Sequence, residues 1–154
     1  MSRVQLNYDE GIKALSPTLE TKLTRNMEQT LAHIEGKTGL VNVLFCSKGR
    51  IQELNREFRQ MDKPTDILSW QSEEEAIPGI ISEEMPWGEL AVCLEVCQNQ
   101  AEQSGRELDA ELHRLLIHGL VHLAGYDHET AEAEKIMIQI ETDLLSRIGL
   151  GDIY

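Results

Sequence analysis

Three histidines near the C-terminal end of the sequence have a spacing that suits a metal site. His118, His122 and His128 fall within eleven residues of a chain that has five histidines in all. Residues i and i+4 lie one turn apart on the same face of a helix, so the first two imidazoles can converge on one ion. Gly125 allows the chain to reverse direction after that helix, which returns His128 to the same point. The spacing therefore predicts that these three histidines bind one metal ion.

Three imidazole nitrogens suit zinc and leave the fourth position of a tetrahedral ion open. Structural zinc sites are usually closed by four protein ligands, whereas an open position is typical of catalysis. We therefore expect one catalytic Zn²⁺ per chain. His113 and His33 are expected to lie outside the site. His113 lies on a different face of the helix from His118. His33 belongs to another helix and is predicted to face solvent.

The histidine pattern also resembles that of the metzincin metalloproteases, H-E-x-x-H-x-x-G-x-x-H. The chain matches the three histidines and the glycine of this pattern. It departs at the glutamate, the general base of those proteases, which is Gly119 here. Because glycine cannot take a proton from water, peptide hydrolysis is disfavoured and a different scissile group is indicated.

The first two histidines belong to a predicted helix at residues 108–124, whose apolar residues cover most of its circumference. A helix of this kind is central and buried. Gly125 is expected to end it in a left-handed conformation. An amphipathic helix with an acidic face is predicted to follow at residues 131–148 and to stop at Gly149.

The rest of the chain supplies four strands and three further helices. The strands are predicted at 4–8, 41–46, 65–70 and 87–94, and the helices at 17–34, 50–58 and 95–104, with a loop at 71–86. Ser16 and Ser47 are the expected N-caps of the first two helices, and the first helix should stop near Gly36. This order predicts an α+β fold in one domain, residues 1–154. A four-stranded mixed sheet would pack against helices, with a buried central helix that carries the metal-binding histidines.

The charge of the chain limits how it could hold an anionic partner. The net charge is −13, which argues against a broad, sequence-independent grip on nucleic acid. One basic segment, residues 48–63, has a local positive surplus from Lys48, Arg50, Arg56, Arg59 and Lys63. This segment is either a solvated helix face or a local phosphate-binding patch, and the sequence leaves both interpretations open.

Cysteine usage and hydropathy point to the cytoplasm. The three cysteines are an odd number without a Cys-x-x-Cys pair, which fits reduced thiols better than a disulfide framework. No apolar stretch is long enough to span a membrane, and the N-terminus lacks the apolar region of a secretory signal. We therefore expect a cytoplasmic protein without membrane contact, and we make no prediction of its oligomeric state.

Three motifs together resemble the bacterial YbeY endoribonucleases. They are the His-Gly-x-x-His-Leu-x-Gly-Tyr-Asp-His run at 118–128, the segment Asp-Lys-Pro-Thr-Asp-Ile-Leu-Ser-Trp at 62–70, and Gly-Glu-Leu at 88–90. They occur in the family's order, and the resemblance extends from about residue 43 to residue 148. Two positions depart from the family's usual residues. Glu89 stands where aspartate is more common and Trp70 where phenylalanine is common, and both keep the chemical character.

The resemblance implies a single-strand-specific, metal-dependent endoribonuclease. In the family, this activity serves ribosomal RNA maturation, at the 3′ end of 16S rRNA, and ribosome quality control. It implies RNA and the small ribosomal subunit as partners, together with ribosome-associated proteins. The three histidines would bind zinc, and an arginine just before the Lys-Pro-Thr motif, which lines the family's cleft, maps onto Arg59.

For RNA cleavage, zinc can lower the pKa of water and polarise a phosphoryl oxygen. The guanidinium of Arg59 is expected to hold the phosphate in two-point fashion, and its alternative is a surface salt bridge. Asp127 is predicted to orient a ligand imidazole. No residue stands out as the general base, so either activated water or the substrate's own 2′-hydroxyl can be the nucleophile.

Three classes of function follow from these observations. The first is a metal-dependent endoribonuclease. The second is a metalloprotease or another zinc hydrolase, which Gly119 disfavours. The third is a non-catalytic ribosome-assembly factor with structural zinc. An open coordination position would favour either enzyme over the third.

Overall fold

Four strands and five helices make up the part of the chain that the computed structural model describes, residues 3–34, 39–71 and 87–151. The strands are β1 (Arg3–Tyr8), β2 (Leu40–Cys46), β3 (Ile67–Gln71) and β4 (Gly88–Cys93). The helices are α1 (Pro17–Ala32), α2 (Lys48–Arg59), α3 (Leu94–Ser104), α4 (Leu108–Leu123) and α5 (Ala131–Arg147).

The strands form one mixed sheet in the order β1-β2-β4-β3. β1, β2 and β4 run parallel, and β3 pairs antiparallel with β4 at one edge. Every residue of β2 and β4 is buried, because helices cover the sheet. Strands of this kind read as continuous apolar runs rather than as alternating patterns. The predicted α+β fold with a four-stranded mixed sheet is confirmed.

Two apolar clusters lie on opposite faces of the sheet. The larger one joins Val41, Val43, Phe45, Leu90 and Val92 to the inner faces of α1, α4 and α5. The smaller one joins the opposite sheet face to α2, through Ile51 and Leu54. Ten of the sixteen residues of α4 are buried, so this helix is the buried central helix that its composition predicts.

The local signals for helix ends agree with the structure within a few residues. Ser16 and Ser47 are the N-caps of α1 and α2, and their hydroxyls accept the N–H groups of Leu19 and Arg50. α1 ends at Ala32, two residues before the predicted end, and Gly36 lies outside the described residues. Such boundary shifts reflect fraying at helix ends.

The strand boundaries next to the candidate site also shift slightly. β3 begins at Ile67 rather than at residue 65, because the Asp66 carboxylate accepts the N–H of Ile67 at 2.7 Å and ends the preceding loop. β4 ends at Cys93, because Leu94 begins α3. Of the predicted loop at 71–86, residue 71 belongs to β3 and residues 72–86 lie outside the described part.

The three cysteines, Cys46, Cys93 and Cys97, are free and buried. Burial raises the pKa of Cys46 and of Cys97 to about 12, so these thiols stay protonated and serve as small apolar core groups. Among the described helices, none combines the length and apolar composition that crossing a membrane requires.

Gly119 lies where α4 packs against side chains of β3 and β4. A Cβ at this position would come within 2.9 Å of both Ile67 Cδ1 and Leu90 Cδ2. Real Cβ atoms do not approach other heavy atoms this closely, so these side chains would have to move. Position 119 therefore faces the apolar sheet, and a glutamate cannot be placed there without repacking.

This close packing predicts that Gly119→Glu, which would restore the metzincin glutamate, destabilises the protein by about 1–3 kcal/mol. The new Cβ must displace the side chains of Ile67 and Leu90, which already occupy the space beside position 119. Urea unfolding followed by circular dichroism measures the loss.

Gly49→Glu is the matched control. Gly49 lies in the first turn of α2, where a new Cβ meets no atom within 4 Å, and a carboxylate is favourable near a helix N-terminus. We expect this variant to be as stable as the wild type or slightly more stable. Equal stability of the two glutamate variants would contradict the packing described at position 119.

Candidate metal centre

The three histidines of the 118–128 motif converge in the structure. His118, His122 and His128 each offer one ring nitrogen, and these atoms all lie within 4.8 Å of one another. The ring centroids are 5.6 Å apart for 118 and 122, 6.0 Å for 118 and 128, and 5.5 Å for 122 and 128. The helical spacing and the glycine turn thus bring three donor atoms around one point, as the sequence predicts.

A tight chain reversal delivers His128 to the end of α4. Gly125 has a φ of 105°, a left-handed conformation that glycine adopts readily, and its N–H donates to the carbonyl of His122 at 3.0 Å. Oδ1 of Asp127 then accepts the N–H of Glu129 at 3.1 Å, and Thr130 caps α5. His128 therefore comes from the connection between α4 and α5, while His118 and His122 come from α4 itself.

A buried carboxylate holds one of the imidazoles. Oε1 of Glu141 lies 3.0 Å from Nδ1 of His118, and the Glu141 side chain is only 2% exposed. An Nδ1–H that donates to this carboxylate fixes the tautomer and leaves Nε2 to bind a metal, the usual arrangement around histidine ligands. Asp127, for which the sequence predicts an orienting role toward a ligand imidazole, accepts the N–H of Glu129 through Oδ1.

Glu141 was missed because it is 23 residues from His118 along the chain. A signal was nevertheless present in the sequence. Glu141 shares the buried face of α5 with Met137, Leu144 and Leu145. A carboxylate on the apolar face of a helix needs a polar partner within the core.

The environment of His122 favours the neutral imidazole. Burial, followed by the neighbouring His118, lowers the pKa of His122 below its ordinary value. A neutral imidazole is the form that binds a metal ion. Three imidazoles with a carboxylate partner on one of them therefore fit a zinc ion in ligand type.

The three histidines form one wall of a cavity of about 270 Å³ between α4 and the edge strand β3. The other residues that line it are Thr65, Asp66, Ile67, Ser69, Arg114, Leu115 and Gly119. A second cavity of about 170 Å³ lies on the α5 side of His118 and His128 and includes Glu134 and Glu141. A larger cavity of about 600 Å³, between α5 and the ends of α1 and α4, includes none of the three histidines. The ring nitrogens thus converge beside space for a substrate.

Arg59 lies next to this cavity. Its Nη2 donates to the carbonyl of Ser69 at 2.5 Å, its Nη1 donates to the carbonyl of Phe58 at 3.1 Å, and its guanidinium carbon lies 5.5 Å from the centroid of the Trp70 ring. Ser69 lines the cavity, whereas Arg59 is not among the described residues that do. The exposed guanidinium is therefore held at the free edge of β3, beside the histidine cavity.

The other cations of the basic segment 48–63 are interleaved with acids. Ion pairs join Lys48 to Glu95 at 3.7 Å and Arg56 to Asp62 at 3.9 Å, with side chains about half exposed or more. Exposed pairs of this kind contribute little to stability. These contacts favour a solvated surface at Lys48 and Arg56.

The two remaining histidines lie where the sequence places them. His33 is exposed at the end of α1. His113 is fully buried, with Nε2 3.0 Å from the amide nitrogen of Asn26 and Nδ1 2.8 Å from the carbonyl of Asp109. His113 is therefore a hydrogen-bonded core residue outside the candidate site.

The Glu141–His118 contact predicts that Glu141→Gln weakens Zn²⁺ binding about ten- to a hundredfold. The amide keeps the size of the side chain but loses the charge that holds the imidazole. Competition titration of the metal-free protein with a chromophoric chelator measures the affinity. Asp143→Asn is the matched control, since Asp143 is an exposed acid on the same helix that pairs with Arg147. Equal affinities for the two variants would contradict an orienting role for Glu141.

The family model described as endoribonuclease YbeY matches residues 6–149 of this chain. A protein named endoribonuclease YbeY from Cereibacter sphaeroides is 39% identical over 146 residues, covering 85% of this chain and 86% of that protein. The Bacillus cereus protein of that name is 42% identical over 115 residues, covering 72% and 74% of the two chains.

A solved structure shares the fold. The solution structure of TM1509 from Thermotoga maritima superimposes with a TM-score of 0.57 and 27% sequence identity, and the match covers 94% of this chain and 90% of that one. The family model spans nearly all of the described elements, including the segment that carries the three converging histidines. This chain therefore belongs to the endoribonuclease YbeY family.

Proposed function

We propose that this chain is a zinc-dependent endoribonuclease, one domain over residues 1–154, that matures the 3′ end of 16S ribosomal RNA and acts in ribosome quality control in the cytoplasm. The endoribonuclease activity in ribosomal RNA processing follows from family membership. The observation that supports metal dependence of this activity is the convergence of His118, His122 and His128 on the wall of a cavity. RNA and the small ribosomal subunit, with its associated proteins, are the proposed partners.

The number of ligands supports an enzyme over a protein with structural zinc. Within the described residues, the group of potential ligands at this point consists of the three histidines alone. Three ligands beside a cavity leave room for a substrate oxygen, whereas a structural zinc site is usually closed by four protein ligands. When bound, zinc would supply Lewis acidity toward a phosphoryl oxygen and activate water.

The residues of the chain would position the RNA strand. A cavity of about 270 Å³ has room for a phosphate and its sugar, and the single-stranded substrate is proposed from the family resemblance. Arg59, at the β3 edge beside Ser69, is proposed to hold a phosphate oxygen of the strand through its guanidinium. Glu141 keeps the His118 imidazole in place.

Wild-type protein is expected to carry close to one zinc per chain and to cleave a single-stranded fragment of small-subunit ribosomal RNA. His118→Ala and His122→Ala should lose both properties, because two imidazoles hold zinc more weakly than three. His122→Ala should also lose the stability that the bound metal contributes. Elemental analysis, cleavage assays and thermal unfolding of the same preparations measure the three effects.

His33→Ala is the control for this experiment, since His33 is exposed and lies outside the cavity. It should keep the zinc and the cleavage rate. The absence of any stoichiometric transition metal after expression with zinc would overturn the metal proposal. Chelator-sensitive turnover of unstructured peptides by the wild type would replace RNA by peptide as the substrate class.

Arg59→Ala should cost about 2–4 kcal/mol of transition-state stabilisation if the guanidinium binds the scissile phosphate, as loss of one preorganised donor does elsewhere. Arg59→Lys should restore little, because an ammonium keeps the charge but loses the fork. Zinc content should not change. Cleavage rates measured over a salt series test this, and the salt dependence should be shallow, on the order of two to four phosphates.

Arg56→Ala serves as the matched control for Arg59→Ala. Arg56 is an exposed arginine on the same helix, paired with Asp62, and its loss should leave the cleavage rate within about twofold. If Arg59→Ala cleaves RNA at the wild-type rate, Arg59 does not act in the active site.

A further inference from the structure

A second arginine, Arg114, lies on the cavity wall itself. It precedes His118 by four residues on α4, so the two side chains project from the same face of the helix one turn apart. Arg114 lines the cavity of about 270 Å³ together with all three histidines. It also lines the neighbouring cavity together with His118 and His128. Arg114 therefore shares both cavities with two of the three histidines, His118 and His128.

A buried carboxylate fixes the orientation of this guanidinium. Nε and Nη2 of Arg114 donate to Oε1 and Oε2 of Glu111 at 2.8 and 2.9 Å, a two-point contact. The Glu111 side chain is 1% exposed, and that of Arg114 is 19% exposed. The hydrogen bonds from Arg114 hold the pKa of Glu111 below its ordinary value despite the opposing effect of burial. An ionised Glu111 therefore fixes Arg114 before any substrate arrives, so little conformational entropy is lost on binding.

Glu111 accepts hydrogen bonds from two arginines. Nη1 of Arg106 also donates to Oε1 of Glu111, at 3.1 Å, so two guanidinium groups share one carboxylate. Asp66 is the second acid of this region and lines the cavity. Gln100, in the amide orientation that satisfies both acids, donates to Glu111 at 3.2 Å and to Asp66 at 3.3 Å. Two cations thus balance two anions around Glu111, so this cluster adds no net negative charge beside the cavity.

We propose that Arg114 is a substrate-binding residue, whose guanidinium binds a non-bridging phosphate oxygen of the RNA strand inside the cavity of the three histidines. Guanidinium groups recognise phosphate through charge-assisted hydrogen bonds of defined direction. Arg59 approaches the same cavity from the β3 edge, whereas Arg114 lies on its α4 wall. The two arginines would therefore contact the strand at different places, one beside the cavity and one on its wall. This inference rests on the RNA substrate proposed above.

Binding of a single-stranded DNA oligonucleotide to the metal-free protein tests the proposal. This probe carries the phosphates of a single strand but lacks the 2′-hydroxyl that could act as the nucleophile, so binding is measured without that route of cleavage. Arg114→Ala should weaken binding at least about tenfold, since a hydrogen bond to a charged group is lost. The slope of log affinity against log salt should fall by about 0.7, the value of one phosphate on a single strand. For RNA cleavage by the zinc-loaded enzyme, KM should rise more than kcat falls.

Arg106→Ala is the matched control, because it removes the other guanidinium of Glu111 and Arg106 is not among the described cavity-lining residues. It should keep oligonucleotide affinity within about twofold and the full salt slope. Arg114→Lys and Arg106→Lys repeat the comparison with less disturbance of the buried carboxylate, in case the alanine variants unfold.

The outcomes separate this inference from the proposed function. If wild-type protein cleaves RNA while the Arg114 and Arg106 variants bind the oligonucleotide equally well, Arg114 is only a structural partner of Glu111 and the inference is wrong. If wild-type protein neither binds the oligonucleotide nor cleaves RNA, the proposed function itself fails.

Discussion

The close approach of α4 to the sheet at Gly119 is the constraint on which the rest of the site depends. A Cβ at this position would come within 2.9 Å of Ile67 and Leu90, so glycine lets the helix lie deeper against the sheet than a side chain would allow. The next residue of the helix toward its N-terminus is His118, and β3, which carries Ile67, supplies the opposite wall of the cavity. A glutamate at position 119 would require the side chains at this contact to shift. Gly119 therefore affects both the packing of α4 on the sheet and the position of the neighbouring His118.

Two buried acids fix the orientation of basic side chains at the site. Glu141 holds His118, and Glu111 holds Arg114. Both carboxylates are almost completely buried. Burial of a charge is costly unless it is paired, and removing one partner of a buried pair leaves the other uncompensated. These two acids are therefore paired with basic groups that line the cavity. Part of the chain's negative charge thus helps to orient the groups that would bind an anion.

The net charge of −13 has a consequence for how RNA can be held. A protein that grips nucleic acid through many surface lysines and arginines binds with a steep salt dependence. Here three of the cations in the basic segment 48–63 pair with acids, whereas Arg59 and Arg114 are each fixed by hydrogen bonds. Few contacts in fixed positions favour recognition at one point of a strand over general affinity for RNA.

The sequence by itself determined the features that depend on neighbouring residues. The i, i+4 spacing of His118 and His122, the turn at Gly125 and the capping hydroxyls at Ser16 and Ser47 are local, because backbone periodicity and glycine's access to positive φ act within one or two turns. The burial of α4 also followed from its composition. These signals sufficed for the fold class and for the convergence of the three histidines.

Only the tertiary structure decided which distant residues complete the site. Glu141 contacts His118, and Arg114 lies on the cavity wall while Arg59 lies beside it. The strand order β1-β2-β4-β3, which places β3 opposite α4, joins segments far apart in sequence. Such pairings depend on how sheet and helix faces pack against one another, and residue spacing carries no record of a partner 23 or more residues away.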